Sequence, residues 1–453
     1  MLRAQPEKQI SSTGWHTPLL VQIVVCVIPA MTLVAGLNFA AASYVFFALY
    51  LTLFVRAVLR KRPAEASALT LGCLPGMMLL RDFVYYSSVQ VLLGAAVFLW
   101  WMYAAEDFRW MIRSLTVRLL VVFAVIYWLV SWIFTNDYSS NLRIFELVFT
   151  AMNVRLLCRY RKFLATAFVG VAISGFSIGA ALMGQGGRLG MVGDDDTHLG
   201  NPVTFGMPMA LIVTLCLAEE GRWLRLESAP WRRGILAILS GGFLVFSTSR
   251  GSWSVAIGCI LFMLFFARHR GAILRFLLVA IVGVSIWAHF ADTSTLEKYI
   301  DKTFNSEEEW SDINARVAQW HAFPRAFADA PIFGFGPGMG KAVSLKYSGH
   351  QLIWHSLYEH ISIECGSLGI LLLLLLLGSR VRRGIAHLRD QKDAIPVLGV
   401  LGFMIIAISI PAIDGMAGLF LGLSLTAGHT LRYRVLRQVQ FASQRHQTVS
   451  LTS

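Results

Sequence analysis

Long apolar stretches separated by a few polar or basic residues dominate the chain from about residue 18 onward. A helix rises about 1.5 Å per residue, so roughly 20 apolar residues cross the ~30 Å hydrocarbon layer of a bilayer. Runs near that length fall at 18–36, 38–55, 67–80, 84–104, 115–134, 143–157, 163–183, 203–218, 234–248, 252–267, 272–290, 357–378, 394–411 and 414–428. The pattern predicts an all-α, polytopic membrane bundle of 12–14 transmembrane helices. The range reflects the brief run at 67–80 and the run at 143–157, which carries Glu146 and ends at Arg155. Ahead of the first run, MLRAQPEKQISSTGWHTP holds no small-residue cleavage site leading to a soluble domain, so that run reads as a retained span.

The pattern changes between Ala291 and Trp354, where about 65 residues lack an apolar run, too many for a bare loop in a compact protein. Ile313, Val317, Trp320 and Phe327 recur near helical spacing, which predicts an amphipathic helix over 310–328 lying on the bilayer or on the bundle. Pro331 and the run Gly334-Phe335-Gly336-Pro337-Gly338-Met339-Gly340 end that helix and turn the chain. Four parts follow: a transmembrane bundle over 1–290, a helical excursion over 291–356, further transmembrane helices over 357–431 and a polar tail over 432–453.

With 56% hydrophobic and 14% charged residues, and a mean hydropathy of +0.62, the composition excludes an ordinary soluble domain. The net charge of +13 comes from short basic clusters between apolar runs, which is a topology signal and not a nucleic-acid footprint. One set of connections carries 28 Lys and Arg, the opposite set ten. The richer side is expected to be cytoplasmic, with both termini on it. Gly184 to Asn201, the turn Thr248-Ser249-Arg250-Gly251 and the excursion then share the outer face. The six cysteines show no CxxC or metal-finger spacing and read as buried free thiols.

That face carries the candidate chemistry. Arg250 sits in FSTSRGSW, between two apolar runs, as a snorkelling residue at a span's end or as a ligand for an anion. Arg316 precedes Trp320 by four residues and so shares its helical face, and Arg325 follows Pro324. Two readings stand for this pair: salt bridges to Glu309, Asp312 or Asp329, or capture of a phosphate by the planar guanidinium, whose fork gives two parallel charge-assisted bonds that a lysine ammonium cannot.

The glycine-rich run suits a tight turn that positions His355 or a backbone cradle for an anion. It follows no strand, and Pro337 removes one donor. His350, His355 and His360 recur every five residues, which is not the spacing that gathers ligands on one helical face. No metal site is expected there or at Asp194-Asp195-Asp196, which reads as a solvated loop. His355 lies where the excursion re-enters the membrane. It reads either as a helix-start residue or as a base, since an imidazole with an ordinary pKa near 6.5 takes a hydroxyl proton at neutral pH.

In order and spacing, SRG at 249–251, NARxxxW at 314–320, GFGPG at 334–338 and HSLYEHISIECGSLG at 355–369 resemble the O-antigen ligase family, which is related to the O-antigen polymerases and the bacterial protein O-oligosaccharyltransferases. The resemblance runs from Ser247 to about Leu377, with a looser echo at Arg188-Leu189-Gly190 and Asn201-Pro202. It implies a metal-independent glycosyltransferase of the GT-C type, without cofactor, in the bacterial inner membrane. Such an enzyme moves a glycan from undecaprenyl diphosphate to a lipid A-core oligosaccharide at the periplasmic face, among membrane lipids and with no nucleic-acid partner. By motif position, Arg250 and Arg316 match the family's essential arginines and His355 its essential histidine, and Arg188 is carried over from the looser echo. Arg325 joins them as a diphosphate candidate.

A polymerase would use the same donor and extend one lipid-linked glycan with another. Arg325 and Gly336 have the arginine, ten residues, glycine spacing described for such enzymes. A protein-glycosylating relative would take a serine or threonine acceptor. A lipid-linked-glycan transporter would instead place ionisable residues and broken helices near the bilayer midplane.

Overall fold

The computed structural model describes residues 25, 27–28, 30–31, 39–80, 88–135, 143–183, 202–226, 229–247, 249–266, 270–290, 307–351, 353–409 and 415–427. Among them the regular elements are all helical. The first half holds α1 (Phe39–Leu59), α2 (Pro63–Gly72), α3 (Leu74–Leu80), α4 (Ser88–Tyr103), α5 (Ala105–Ile112), α6 (Leu115–Thr135), α7 (Arg143–Leu157) and α8 (Arg161–Met183). The second holds α9 (Pro202–Leu217), α10 (Pro230–Phe246), α11 (Arg250–Phe266), α12 (Arg270–Phe290), α13 (Glu307–Asp329), α14 (Gly340–Ser348), α15 (Leu357–Gln391), α16 (Ile395–Ser409) and α17 (Gly415–Ser424).

This is the expected all-α membrane bundle, although its helices are shorter than the apolar runs suggest. Among the described residues, Ala40–Leu59, Leu115–Ile133 and Leu357–Gln391 are long and apolar enough to cross a bilayer. The pair α4 and α5, bent by 115°, adds a fourth if it counts as one span, and five further apolar helices have 10–17 residues. At 1.5 Å per residue those five reach only about 15–26 Å. Hydropathy registers an apolar stretch whether or not the helix breaks within it, as at Cys73 between α2 and α3. The described helices therefore meet the length of a full span less often than the 12–14 runs do.

Two short helices, α9 from Phe205 onward and α17, are buried all round. A helix apolar on every side belongs inside a bundle. In α17, Gly418 and Gly422 have the spacing that lets two membrane helices approach closely. A Cβ on Gly418 would lie 2.7 Å from the Leu147 carbonyl oxygen, and one on Gly422 would lie 2.6 Å from Cβ of Val154, so α17 runs parallel to α7.

Buried polar groups lock the first half, because a group without a partner is expensive where water is absent. The Trp100 indole N–H donates to Ser67 Oγ at 2.7 Å, and Ser67 donates to Asn153 Oδ1 at 2.7 Å. The Asn153 amide donates in turn to the carbonyls of Leu93 and Phe149. Gln90 donates to the buried Glu146 carboxylate at 2.7 Å. The Arg155 guanidinium lies 4.6 Å from the Trp110 ring centroid and donates to the Leu425 carbonyl, joining α7 to the end of α17.

The excursion has a small core of its own, built from Ala322, Ala326, Val343, Trp354 and Ile363, with Phe323, Phe327, Phe335, Met339 and Tyr347 packed around it. Ile363 belongs to α15, so this core is shared with a membrane helix.

Candidate functional site

Helix α13 turns Ala315, Gln319, Ala322 and Ala326 inward. The small alanines let its backbone approach α14, and Gln319 donates to Ser344 Oγ at 2.8 Å and to the Ile353 carbonyl at 3.4 Å. The face predicted to lie on the bilayer or on the bundle is not the one packed on α14. Trp320 is 56% exposed, while Val317 and Phe327 are partly buried and the Ile313 side chain lies outside the described ones. Apolar periodicity points to the large residues, but the contact with α14 selects the small ones.

Arg316 lies three residues before Gln319, on the adjoining turn. Its side chain is partly buried, and among the described residues its Nε is buried without a hydrogen-bond partner. Asp329, one of its expected salt-bridge partners, instead accepts a hydrogen bond from the Tyr347 hydroxyl. Glu309 and Asp312 lie outside the described side chains. Arg325 is exposed on the same helix.

The glycine-rich turn resolves as a tight turn. Gly334, Gly336 and Gly338 all have positive φ, a conformation that glycine adopts without steric cost. The N–H of Phe335 donates to the Ile363 carbonyl at 2.8 Å, and that of Gly336 to the Glu364 carbonyl at 3.0 Å. The Gly340 N–H donates to Glu364 Oε1 at 2.9 Å. These three donors are therefore satisfied within the protein.

The matching feature on α15 is Gly366, whose φ of 63° and ψ of −162° interrupt the helix. Around the break, Ser367 N–H donates to the Pro331 carbonyl at 2.8 Å and Leu368 N–H to that of Ile332 at 3.3 Å. The turn is bonded backbone to backbone into a broken helix.

His355 precedes α15 by two residues and is fixed from both sides. Trp354 is fully buried, donates to the Gly340 carbonyl at 3.1 Å and meets the Phe323 ring edge-on at 6.0 Å. On the other side Ser356 is the N-cap of α15 and accepts the Tyr358 N–H at 3.2 Å. The Glu359 carboxylate reaches back to the Ser356 backbone, completing a reciprocal capping box. Ser356 Oγ also donates to the Ala407 carbonyl at 3.3 Å, tying this start to the end of α16. His355 itself is half-buried.

Arg250 is the exposed first residue of α11. Ser249 accepts the Ser252 N–H at 3.3 Å and Ser247 accepts that of Ser249 at 3.3 Å, so short serine hydroxyls hold the turn before it. Helix directions place Arg250 and His355 at one end of the bundle. Because α17 is parallel to α7, the two begin at the same end, and α8 returns there. Near the end of α8, a Cβ on Gly179 would meet Phe205 of α9 at 2.6 Å and Phe243 of α10 at 2.9 Å. The end of α10 leads through Ser249 to Arg250, and the end of α16, beside the start of α17, holds Ser356. Arg188 and Asp194 to Asp196 lie outside the described residues.

Sequence reasoning passed over Tyr127, Glu364 and Gly366, and weighed His360 only as a metal ligand. Glu364, a carboxylate next to a leucine run, carried a signal. Tyr127 carried none.

Fold and site together define an all-α membrane protein whose polar excursion folds onto the end of its helix bundle. Residues 235–374 match the model of the O-antigen ligase family, and this match supports assigning the chain to that family of glycosyltransferase-like ligases. The assignment implies lipid-linked glycan and acceptor substrates in general. No curated protein matches the chain.

Proposed function

We propose that this protein is an O-antigen ligase of the GT-C type that transfers a glycan from undecaprenyl diphosphate to a hydroxyl of lipid A-core oligosaccharide, with inversion and without a metal. In this reading His355 takes the proton of the acceptor hydroxyl. The oxygen attacks the anomeric carbon from the face opposite the diphosphate, and the bond to the diphosphate breaks. Arg316, Arg250, Arg325 and Arg188 hold the departing charge. A general base contributes about 10² to 10⁴ in rate, and positioning and charge stabilisation supply the rest.

The observation that carries this reading is the partly buried Arg316, with Nε lacking a partner among the described residues, one turn from the Gln319 bond to Ile353 and so near the chain leading into His355. Two arrangements support it. Arg250 heads α11, so its charge and the positive end of the helix dipole favour an anion at the same place. The end of α8 and the start of α9, between which Arg188 falls in the sequence, lie at the end of the bundle that holds Arg250. The excess of basic residues supports an inner-membrane orientation with both termini cytoplasmic and the site periplasmic. The excursion over 291–356 would then be the unit that brings clamp and base together, carried by bundle segments 1–290 and 357–431, with 432–453 as a tail.

The test is transfer by purified full-length protein given undecaprenyl-diphosphate-linked glycan and lipid A-core. We expect His355→Ala to lower the rate by about 10² to 10⁴. A rate near wild type would make His355 structural and overturn the mechanism. Offering a second lipid-linked glycan as the acceptor separates ligase from polymerase, and glycan that crosses liposomes without being transferred would mark a transporter.

A further inference from the structure

The Glu364 carboxylate, more than two turns along α15 from His355, is held by two separate parts of the protein. Its Oε2 accepts the Tyr127 hydroxyl, reaching from α6, at 2.5 Å. Its Oε1 accepts the N–H of Gly340, the first residue of α14 in the excursion, at 2.9 Å. One turn earlier on α15, His360 Nε2 lies 3.3 Å from the Tyr127 oxygen and 3.5 Å from Glu364 Oε2. The three side chains are only 3%, 7% and 1% exposed. A carboxylate at such a place is costly unless it is bound, and buried ionisable groups in membrane helices are functional candidates for that reason.

The contacts form a continuous path to the proposed base. Tyr127 binds Glu364, Glu364 binds the Gly340 N–H, the Gly340 carbonyl accepts the Trp354 indole, and Trp354 precedes His355 in the chain. The Gly340 backbone is therefore held from both sides. There is little slack, since a Cβ on Gly340 would lie 2.8 Å from Glu364 Oε1 and 3.3 Å from His360.

We propose that Glu364 is a positioning residue which, through Tyr127 on one side and Gly340 on the other, couples α6 to the excursion and sets where His355 stands over the bundle. The proposal rests on His355 acting as the base. Glu364 touches no substrate in this arrangement, so its removal changes the turnover step and not the recognition of donor or acceptor.

The experiment pairs steady-state transfer with hydrogen exchange of the full-length protein in detergent. Three variants are compared: Glu364→Ala, Glu364→Gln and Tyr127→Phe. Glutamine keeps an oxygen for the Gly340 N–H and offers its amide to the Tyr127 oxygen, while phenylalanine keeps the ring volume and cuts only the tie to α6. For Glu364→Ala we expect the Gly336 and Gly340 amides to exchange about tenfold faster, as for loss of one hydrogen bond. The kcat should fall by about 10²-fold, as for a small displacement of a reacting group, with KM little changed. Glu364→Gln restores most of kcat, and Tyr127→Phe falls between the two.

Unchanged exchange at Gly336 and Gly340 in both Glu364→Ala and Tyr127→Phe overturns the proposal. Faster exchange with unaltered kcat overturns it too, because the tie would then have no bearing on His355. If wild-type protein transfers no glycan while the exchange response holds, the coupling stands and the reaction proposed above fails.

Discussion

A Cβ on Gly366 would lie 2.2 Å from the carbonyl oxygen of Ile332, so the membrane helix and the excursion touch backbone to backbone. Gly334 shows the reciprocal approach, its Cβ position lying 2.5 Å from the Glu364 carbonyl carbon. Gly366 has positive φ with extended ψ, a combination that costs a side-chain-bearing residue about 1–3 kcal/mol before any clash is counted. Gly366→Ala should therefore lower the thermal midpoint and speed amide exchange over 331–340. Wild-type values of both would show that the two backbones are not held together at this contact.

For Arg316 the informative replacement is lysine, which keeps the charge and loses the two-pronged donor. We expect Arg316→Lys to weaken binding of the lipid-linked donor and Arg316→Ala to weaken it further, both with unchanged melting, because its buried Nε has no hydrogen-bond partner to lose among the described residues. Donor affinity equal to wild type in Arg316→Lys would remove the clamp.

Ser356 caps the helix that starts beside His355. Ser356→Ala removes the acceptor for the Tyr358 N–H and the bond to Ala407, and loss of a cap costs about 0.5–2 kcal/mol. We expect a lower kcat together with a modest fall in melting temperature. Ser356→Asp should recover only the capping part of that loss, since aspartate caps equally well but cannot donate to the Ala407 carbonyl. If Ser356→Ala turned over substrate at the wild-type rate, the capping box would have no part in orienting His355.

Far from the site, Ser67 tests the bundle alone. Ser67→Ala leaves the Trp100 N–H and the Asn153 oxygen without the hydroxyl that joins them, and an unsatisfied buried group costs about 1–3 kcal/mol. The expected result is a lower melting temperature with KM unchanged. An equally stable variant would mean that the network is satisfied in some other way.

Much of the candidate site was legible because its signals are local. Arg250 lies between two apolar runs, and the helix carrying Arg316 ends where a glycine-rich run begins. The start of α15 was legible to within two residues at His355. Where the reading departed from the structure, the decisive contact was distant. The face carrying Trp320 was open to either the bilayer or the bundle, and the stripe that packs on the protein is alanine, at 315, 322 and 326, because α14 lies close to it. The leucine run after Gly369 gives no hint that the helix is broken at Gly366, because the break is stabilised by carbonyls of Pro331 and Ile332 some 35 residues earlier.

By itself the sequence determined that the chain is an apolar, helical membrane protein with one long polar excursion and a handful of arginines and histidines at its edges. Those properties follow from composition and local periodicity, which each segment carries alone. Only the tertiary structure decided that the glycine-rich turn spends three N–H groups on a broken helix and that Tyr127 meets Glu364 across 237 positions. It also decided that Ser356, the neighbour of His355, is tied to the end of α16 through the Ala407 carbonyl. The reason is physical: a buried donor or carboxylate must find a partner, and the packing of whole helices determines which partner is within reach.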